Sequence, residues 1–164
     1  MTIDTHHHAR PEFFWQETEN SDVPIGGLAP LRWSPEASLS FMDDARIDVA
    51  VVSLSTPGVH NGNGAKAAAL ARRCNEFVAA LISRRPQRFA GFAALPLPEL
   101  DPSLEELSYA LDVLKLDGVV LFSNSNGVYL GDPVLEPVFA ELERRQAVVY
   151  VHPNPSPDIV AHSL

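Results

Sequence analysis

Residues 3–8 read Ile-Asp-Thr-His-His-His, a short strand-like stretch that ends in three histidines. Alternate residues of a strand point to the same face, so we expect Asp4, His6 and His8 to share one face. Two imidazoles spaced in this way can chelate one divalent ion such as zinc. The spacing also suits a solvated or hydrogen-bonded histidine pair, so this stretch alone does not decide between a metal site and such a pair.

Four more apolar runs follow this stretch, and they do not alternate with polar residues. Such runs are typical of parallel strands that are buried on both faces. Between the runs, apolar residues recur with the period of a helix. The sequence therefore predicts a repeated strand-helix unit. The five predicted strands are 2–6, 48–54, 89–95, 118–122 and 148–152.

The starts of three helices are predicted by a capping residue followed by proline. Ser34, Asp101 and Asp132 each precede a proline. A side-chain oxygen at the cap accepts a free amide proton, and proline fits the first helical position. Between the first strand and the first of these helices, residues 9–33 are rich in aromatic residues, proline and glycine and show no sustained period. We predict a long loop there, which would serve as a lid or a substrate wall.

A third histidine, His152, ends the fifth predicted strand. In a barrel of parallel strands all carboxyl ends lie at one mouth, so His152 would meet His6 and His8 there. The alternative for His152 is a simple hydrogen bond that caps its strand. Five strands in this length also suit a flavodoxin-like open sheet, which would place the first strand between two others.

Composition limits the partners and the setting of the protein. Among 164 residues, 12 Lys and Arg stand against 21 Asp and Glu, and the net charge of -9 repels phosphate backbones and anionic membranes. We therefore expect no nucleic-acid or membrane partner. The lone cysteine, Cys74, has no partner for an internal disulfide, and the start of the chain lacks the apolar segment of a signal peptide. These features predict a cytoplasmic protein.

Several motifs together resemble the amidohydrolase superfamily, and within it the branch of aminocarboxymuconate semialdehyde decarboxylase and 6-methylsalicylate decarboxylase. The similar segments occur in the same order as in that branch, over nearly the whole chain. They are residues 3–8, 41–43, 75–77, 88–96, 131–133 and 151–153. The resemblance implies an α/β fold of the (β/α)8 TIM-barrel type. Residues 1–164 would be the N-terminal portion of one such domain, truncated to about the first five β/α units.

The resemblance also implies a site. His6, His8 and His152 would bind a divalent metal, zinc in most of this branch, with no organic cofactor. The catalytic residues expected from the family are a histidine of the sixth strand and an aspartate of the eighth, and both would lie beyond Leu164. Four residues are candidates for substrate binding on position and chemistry. They are Phe13, Trp15, Arg32 and Asn124.

The activity implied is nonoxidative decarboxylation of a small aromatic carboxylic acid such as 6-methylsalicylate, by an enzyme that is a homodimer when full length. The metal would act as a Lewis acid on substrate oxygens while a positioned acid protonates the ring. Two alternatives remain. The same scaffold can activate water to hydrolyse an ester, lactone or amide. The chain can also be a noncatalytic fragment or binding module, because an incomplete barrel exposes strand edges and lacks part of its active site.

Overall fold

The structure is a computed structural model that describes residues 1–18 and 33–155, and its main feature is one sheet of five parallel strands. The order of the strands in the sheet is β1-β2-β3-β4-β7. This sequential order is that of a barrel wall and excludes the flavodoxin-like alternative, in which β1 would lie inside the sheet. A hairpin of β5 and β6 follows β4. The bounds are β1 Ile3–His8, β2 Val49–Ser53, β3 Phe89–Ala94, β4 Gly118–Phe122, β5 Asn124–Ser125, β6 Val128–Tyr129 and β7 Val149–His152.

Helices join the strands and cover one face of the sheet. Their bounds are α1 Glu12–Thr18, α2 Pro35–Asp44, α3 Gly64–Arg84, α4 Leu100–Ser108 and α5 Glu136–Arg144, with a π-helical turn Tyr109–Val113 after α4 and a 3-10 turn Pro133–Leu135 before α5. In the described part of the chain, no helix is both long and apolar enough to cross a membrane.

Two of the three predicted helix starts are confirmed at the atomic level. Ser34 Oγ accepts the Ala37 amide at 3.1 Å, and Asp132 Oδ1 accepts the Val134 amide at 2.9 Å. The third prediction is wrong by a short distance. Helix α4 begins at Leu100, so Asp101 lies in its first turn and not at the cap.

The prediction of a loop over residues 9–33 is also wrong in part, because α1 occupies the beginning of that segment. The amides of Phe14 and Trp15 donate to the Pro11 carbonyl, and Thr18 Oγ1 donates to the Phe14 carbonyl at 2.7 Å. Phe14 is fully buried in a small apolar cluster with residues of α3 and the β2 end. Burial of one aromatic ring thus supports a turn of helix that the local sequence pattern does not reveal. Residues 19–32 lie outside the described residues.

The sheet separates two apolar layers. The larger layer lies between the sheet and the helices and contains Ala50, Val52 and Val119. The smaller layer lies on the opposite face, where Val51, Phe92 and Val120 pack together. These two sets alternate along the strands, so they lie on opposite faces of the sheet. Since the helices cover the first face, the second face is the barrel interior. Cys74 of α3 is buried outside that interior, and burial raises the pKa of its thiol to about 12.

One buried asparagine joins α3 to the carboxyl end of β3. Asn75 Oδ1 accepts the Ala94 amide at 2.8 Å, and Asn75 Nδ2 donates to the Ala94 carbonyl at 2.9 Å and to Glu106 Oε1 at 2.8 Å. The register of β3 with β2 ends at Gly91, whereas its register with β4 continues to Ala94, so Asn75 supplements the strand pairing at this end of β3. Arg72 Nε donates to Glu106 Oε2 at 2.6 Å and balances its charge.

We predict that Asn75→Ala lowers the free energy of unfolding by about 3 kcal/mol, because it removes the side chain that bonds to the buried amide and carbonyl of Ala94 and to Oε1 of Glu106. Urea unfolding followed by circular dichroism measures the change. An unfolding free energy within about 0.5 kcal/mol of the parent, the range of a surface substitution, would contradict the role assigned to this amide.

Candidate metal centre

A bulge in β1 determines which of its residues face the barrel interior. Asp4 pairs with Ala50 and His7 pairs with Val52, so two residues of β1 stand opposite a single residue of β2 between these pairs. An extra residue in one strand shifts the alternation of side chains beyond it. Asp4 and His7 therefore both lie on the helix side of the sheet, while His6 and His8 lie on the interior side.

The prediction that Asp4 shares a face with His6 and His8 is therefore wrong. Asp4 Oδ1 accepts the His6 amide at 3.0 Å, and its Oδ2 lies 3.0 Å from His7 Nδ1. His7 Nε2 in turn lies 3.0 Å from Ser38 Oγ of α2. Burial acts to raise the pKa of Asp4, but the hydrogen bonds from the His6 backbone and His7 outweigh it and lower the pKa. The carboxylate thus stabilises the bulge and anchors β1 to α2.

The three predicted metal ligands meet at the carboxyl ends of β1 and β7. His6 Nε2 lies 3.0 Å from His8 Nε2, which lies 3.2 Å from His152 Nε2. Ligand atoms of all three lie within 4.8 Å of one another. Two nitrogens bound at zinc distances to one tetrahedral ion lie about 3.3 Å apart, so these rings fit a divalent ion with little movement. Metal binding by them remains a prediction.

The electrostatics of the site favour the neutral form of two rings, those of His8 and His152. Burial, followed by the nearby His152 and His6, lowers the pKa of His8 to about 4. Burial also lowers the pKa of His152. Because His152 Nδ1 lies 2.6 Å from the Pro153 carbonyl, it carries the proton and leaves the Nε2 lone pair directed at the cluster. Neutral imidazole is the form that binds a metal.

The aromatic candidates for substrate binding lie on α1. Phe13 packs edge-on against Phe77 of α3, with ring centroids 6.0 Å apart. Trp15 lies under the guanidinium of Arg10, which is 3.8 Å from the centroid of its ring and donates to the Thr56 carbonyl. The ring contacts of Phe13 and Trp15 within the described residues are with Phe77, Arg73 and Arg10, not with the histidine cluster. Their substrate role stays a prediction.

The two other candidates differ in what the structure says of them. Arg32 lies outside the described residues. Asn124 is buried at the start of β5, just after β4, where its side chain donates to the carbonyls of Asn154 and Pro155, both at 3.1 Å. Its substrate role likewise stays a prediction.

An aromatic wall beside the cluster was missed by the sequence analysis. The Tyr150 ring lies 5.4 Å from the His6 ring and stacks on Phe92, with centroids 5.9 Å apart. Phe122 contacts the His152 ring edge-on at 5.5 Å. A signal for Tyr150 was present, since a residue two positions before His152 must share its face in a strand.

We predict that the metal-free chain loses stability when the pH falls from about 6.5 to about 4. The folded-state pKa of His8 lies near 4 and the ordinary value is 6.5, so between them the unfolded chain binds more protons and the free energy of unfolding falls. Urea unfolding at pH 7.5 and pH 5 measures the drop. The variant His8→Gln, which lacks the titrating group, should lose less stability on acidification, and an equal loss in both proteins would contradict this assignment.

Comparison with known proteins supplies the family context. The model of the amidohydrolase family matches residues 3–163. The decarboxylase macB of Penicillium terrestre is 38% identical over 158 residues, which are 93% of this chain and 47% of that protein. The 6-methylsalicylic acid decarboxylase acuB of Aspergillus aculeatus is 37% identical over 158 residues, with coverages of 94% and 48%.

A solved structure confirms the fold. The crystal structure of an amidohydrolase II superposes with a TM-score of 0.87 at 34% identity and covers 94% of this chain and 51% of that one. The (β/α)8 type predicted from the sequence is thus confirmed for the five units present. The chain spans about half the length of the curated relatives it matches.

Proposed function

Because the chain belongs to the amidohydrolase family, and its similar relatives are decarboxylases, we propose that it is part of a metal-dependent decarboxylase of an aromatic carboxylic acid. The observation that carries the proposal is the convergence of His6, His8 and His152 on one point at the carboxyl ends of the strands. Substrates of the 6-methylsalicylate type are the first candidates, by analogy with the acuB relative.

His6, His8 and His152 would hold the ion. Three imidazole nitrogens suit zinc, and the remaining position is left for substrate. When bound, the ion supplies a Lewis acid that withdraws charge from carboxylate and phenolate oxygens. The chain itself favours the neutral form of His8 and His152 by burial, and the Pro153 carbonyl fixes the His152 tautomer.

The aromatic wall gives the chain a surface for a flat ring. Phe92 and Tyr150 are stacked in the barrel interior, and Tyr150 adjoins His6. Aromatic faces bind a planar ring by offset or edge contacts and exclude water from it. A substrate with its carboxylate toward the histidines and its ring against Tyr150 would satisfy both surfaces. This arrangement favours an aromatic acid over an aliphatic one.

Decarboxylation breaks the bond between the ring and the carboxyl carbon. Carbon dioxide leaves, the electron pair stays on the ring carbon, and a proton adds there. In the family pattern a strand-six histidine and a strand-eight aspartate serve this proton transfer, whereas the barrel sheet in residues 1–18 and 33–155, the described part of the chain, has five strands. The proposal therefore concerns the protein with its complete barrel. We also propose that the protein is cytoplasmic, which its lone cysteine supports. We propose in addition that it is a homodimer, as the family pattern implies.

The test combines metal analysis with product detection. We expect the protein with its complete barrel to contain close to one equivalent of zinc or a similar divalent ion and to convert 6-methylsalicylate to 3-methylphenol and carbon dioxide. His6→Ala and His152→Ala should each lose at least about 100-fold in metal affinity or activity, because each removes one of three protein ligands. Elemental analysis and NMR of the product measure the two outcomes.

The matched control is His60→Gln. This histidine bonds to Glu99 at 3.3 Å and to the Gly62 amide and is not part of the cluster, so its loss should leave metal content unchanged. Full activity in His152→Ala would refute the metal site. Hydrolysis of aryl esters or lactones without any release of carbon dioxide would refute decarboxylation and favour a hydrolase.

A further inference from the structure

The segment that follows β7 is hydrogen-bonded to the residues just after β4, mainly through the side chains of Asn124 and Asn154. Asn124 Nδ2 donates to the carbonyls of Asn154 and Pro155 at 3.1 Å each. In return Asn154 Nδ2 donates to the Asn124 carbonyl at 3.1 Å. Ser123 closes the arrangement, since its Oγ accepts the Asn154 amide at 2.8 Å. We call these three residues the amide lock.

The amide lock adjoins the backbone group that orients His152. The Pro153 carbonyl accepts the proton of His152 Nδ1 at 2.6 Å, and Pro153 immediately precedes Asn154. The Ser123 amide also donates to the His152 carbonyl at 2.8 Å. Pro153 therefore lies between two residues, His152 and Asn154, whose backbones are both hydrogen-bonded to Ser123. A short hydrogen bond of this kind depends on the carbonyl keeping its direction.

We propose that the amide lock is a positioning device for His152. By fixing the Pro153 carbonyl it keeps the proton on Nδ1 and directs the Nε2 lone pair toward His6 and His8. Groups that hold a ligand histidine in this way set its tautomer and ring orientation. The inference rests on the proposed function only in requiring that the three histidines bind a metal.

This role accounts for the contacts of Asn124 better than substrate binding does. Both protons of its amide are donated to backbone carbonyls, and its side chain is buried. A substrate would have to displace a bond that holds the chain after β7. In this proposal Asn124 acts on the site through Pro153 and His152.

The experiment measures zinc affinity of the full 164-residue chain by competition with a chromophoric chelator. We expect Asn124→Ala to weaken zinc binding by about 10-fold to 100-fold, the range found for groups that support a metal ligand. Asn154→Ala should weaken it less, because the Asn124 side chain still holds the backbone carbonyls. In the metal-free chain, nitrogen-15 NMR of His152 should show the Nδ1-protonated tautomer in the parent and a mixture of tautomers in Asn124→Ala.

Asn75→Ala is the matched control. It removes another buried amide that binds strand backbone, but the hydrogen bonds of Asn75 go to Ala94 and Glu106 and not to residues 152–155. Its zinc affinity and His152 tautomer should equal those of the parent despite the lower stability. If Asn124→Ala does not fold, Ser123→Ala carries the same test, because it removes the acceptor of the Asn154 amide.

The outcomes separate this inference from the metal site itself. If His152→Ala weakens zinc binding while folded Asn124→Ala and Ser123→Ala bind zinc within twofold of the parent, the positioning role is refuted and the metal site stands. If His152→Ala binds zinc as the parent does, the metal site is refuted as well. A tautomer that is unchanged in Asn124→Ala would also overturn the inference.

Discussion

The site depends on one irregularity, the bulge in β1, where two residues of the strand stand opposite one residue of β2. A regular strand would place Asp4 beside His6 and His8 in the interior and would bury a carboxylate among the rings. The bulge sends Asp4 to the helix side. There its carboxylate accepts the His6 amide, which the irregular ladder would otherwise leave unpaired, and contacts His7. The interior thus receives nitrogen ligands alone.

The bulge helps to bring three histidine rings together, and other contacts in the structure keep these rings oriented. Three imidazole nitrogens lie close together, and protonation of His8 is opposed by burial and by the two neighbouring rings. Two sets of hydrogen bonds hold the strands and rings of this cluster in place. On the helix side, His7 bonds to Ser38 and fixes β1 against α2. At the other edge of the site, the Pro153 carbonyl fixes His152. A divalent cation is the ligand that such a set of neutral, oriented lone pairs favours.

The sequence predicted most of what depends on local pattern. The five strands, two capped helix starts and the meeting of His6, His8 and His152 follow from periodicity, capping chemistry and the shared direction of parallel strand ends. The predicted burial on both faces is confirmed for β2, β3 and β4 but is wrong for β1 and β7, which form the edges of the sheet and are largely exposed. The bulge could not be predicted, because it is a property of two paired strands. Helix α1 depends on burial of Phe14, and the amide lock joins residues 30 positions apart, so both arise only from tertiary packing.

The most direct test of this account is a crystal structure of the chain grown with zinc, with anomalous diffraction collected at the zinc absorption edge. If the three histidines bind the metal, we expect one strong peak about 2.0–2.1 Å from Nε2 of His6, His8 and His152, with Asp4 still bonded to His7 on the helix side. No peak between these rings, or a peak whose ligands include Asp4 in place of one of the histidines, would contradict it.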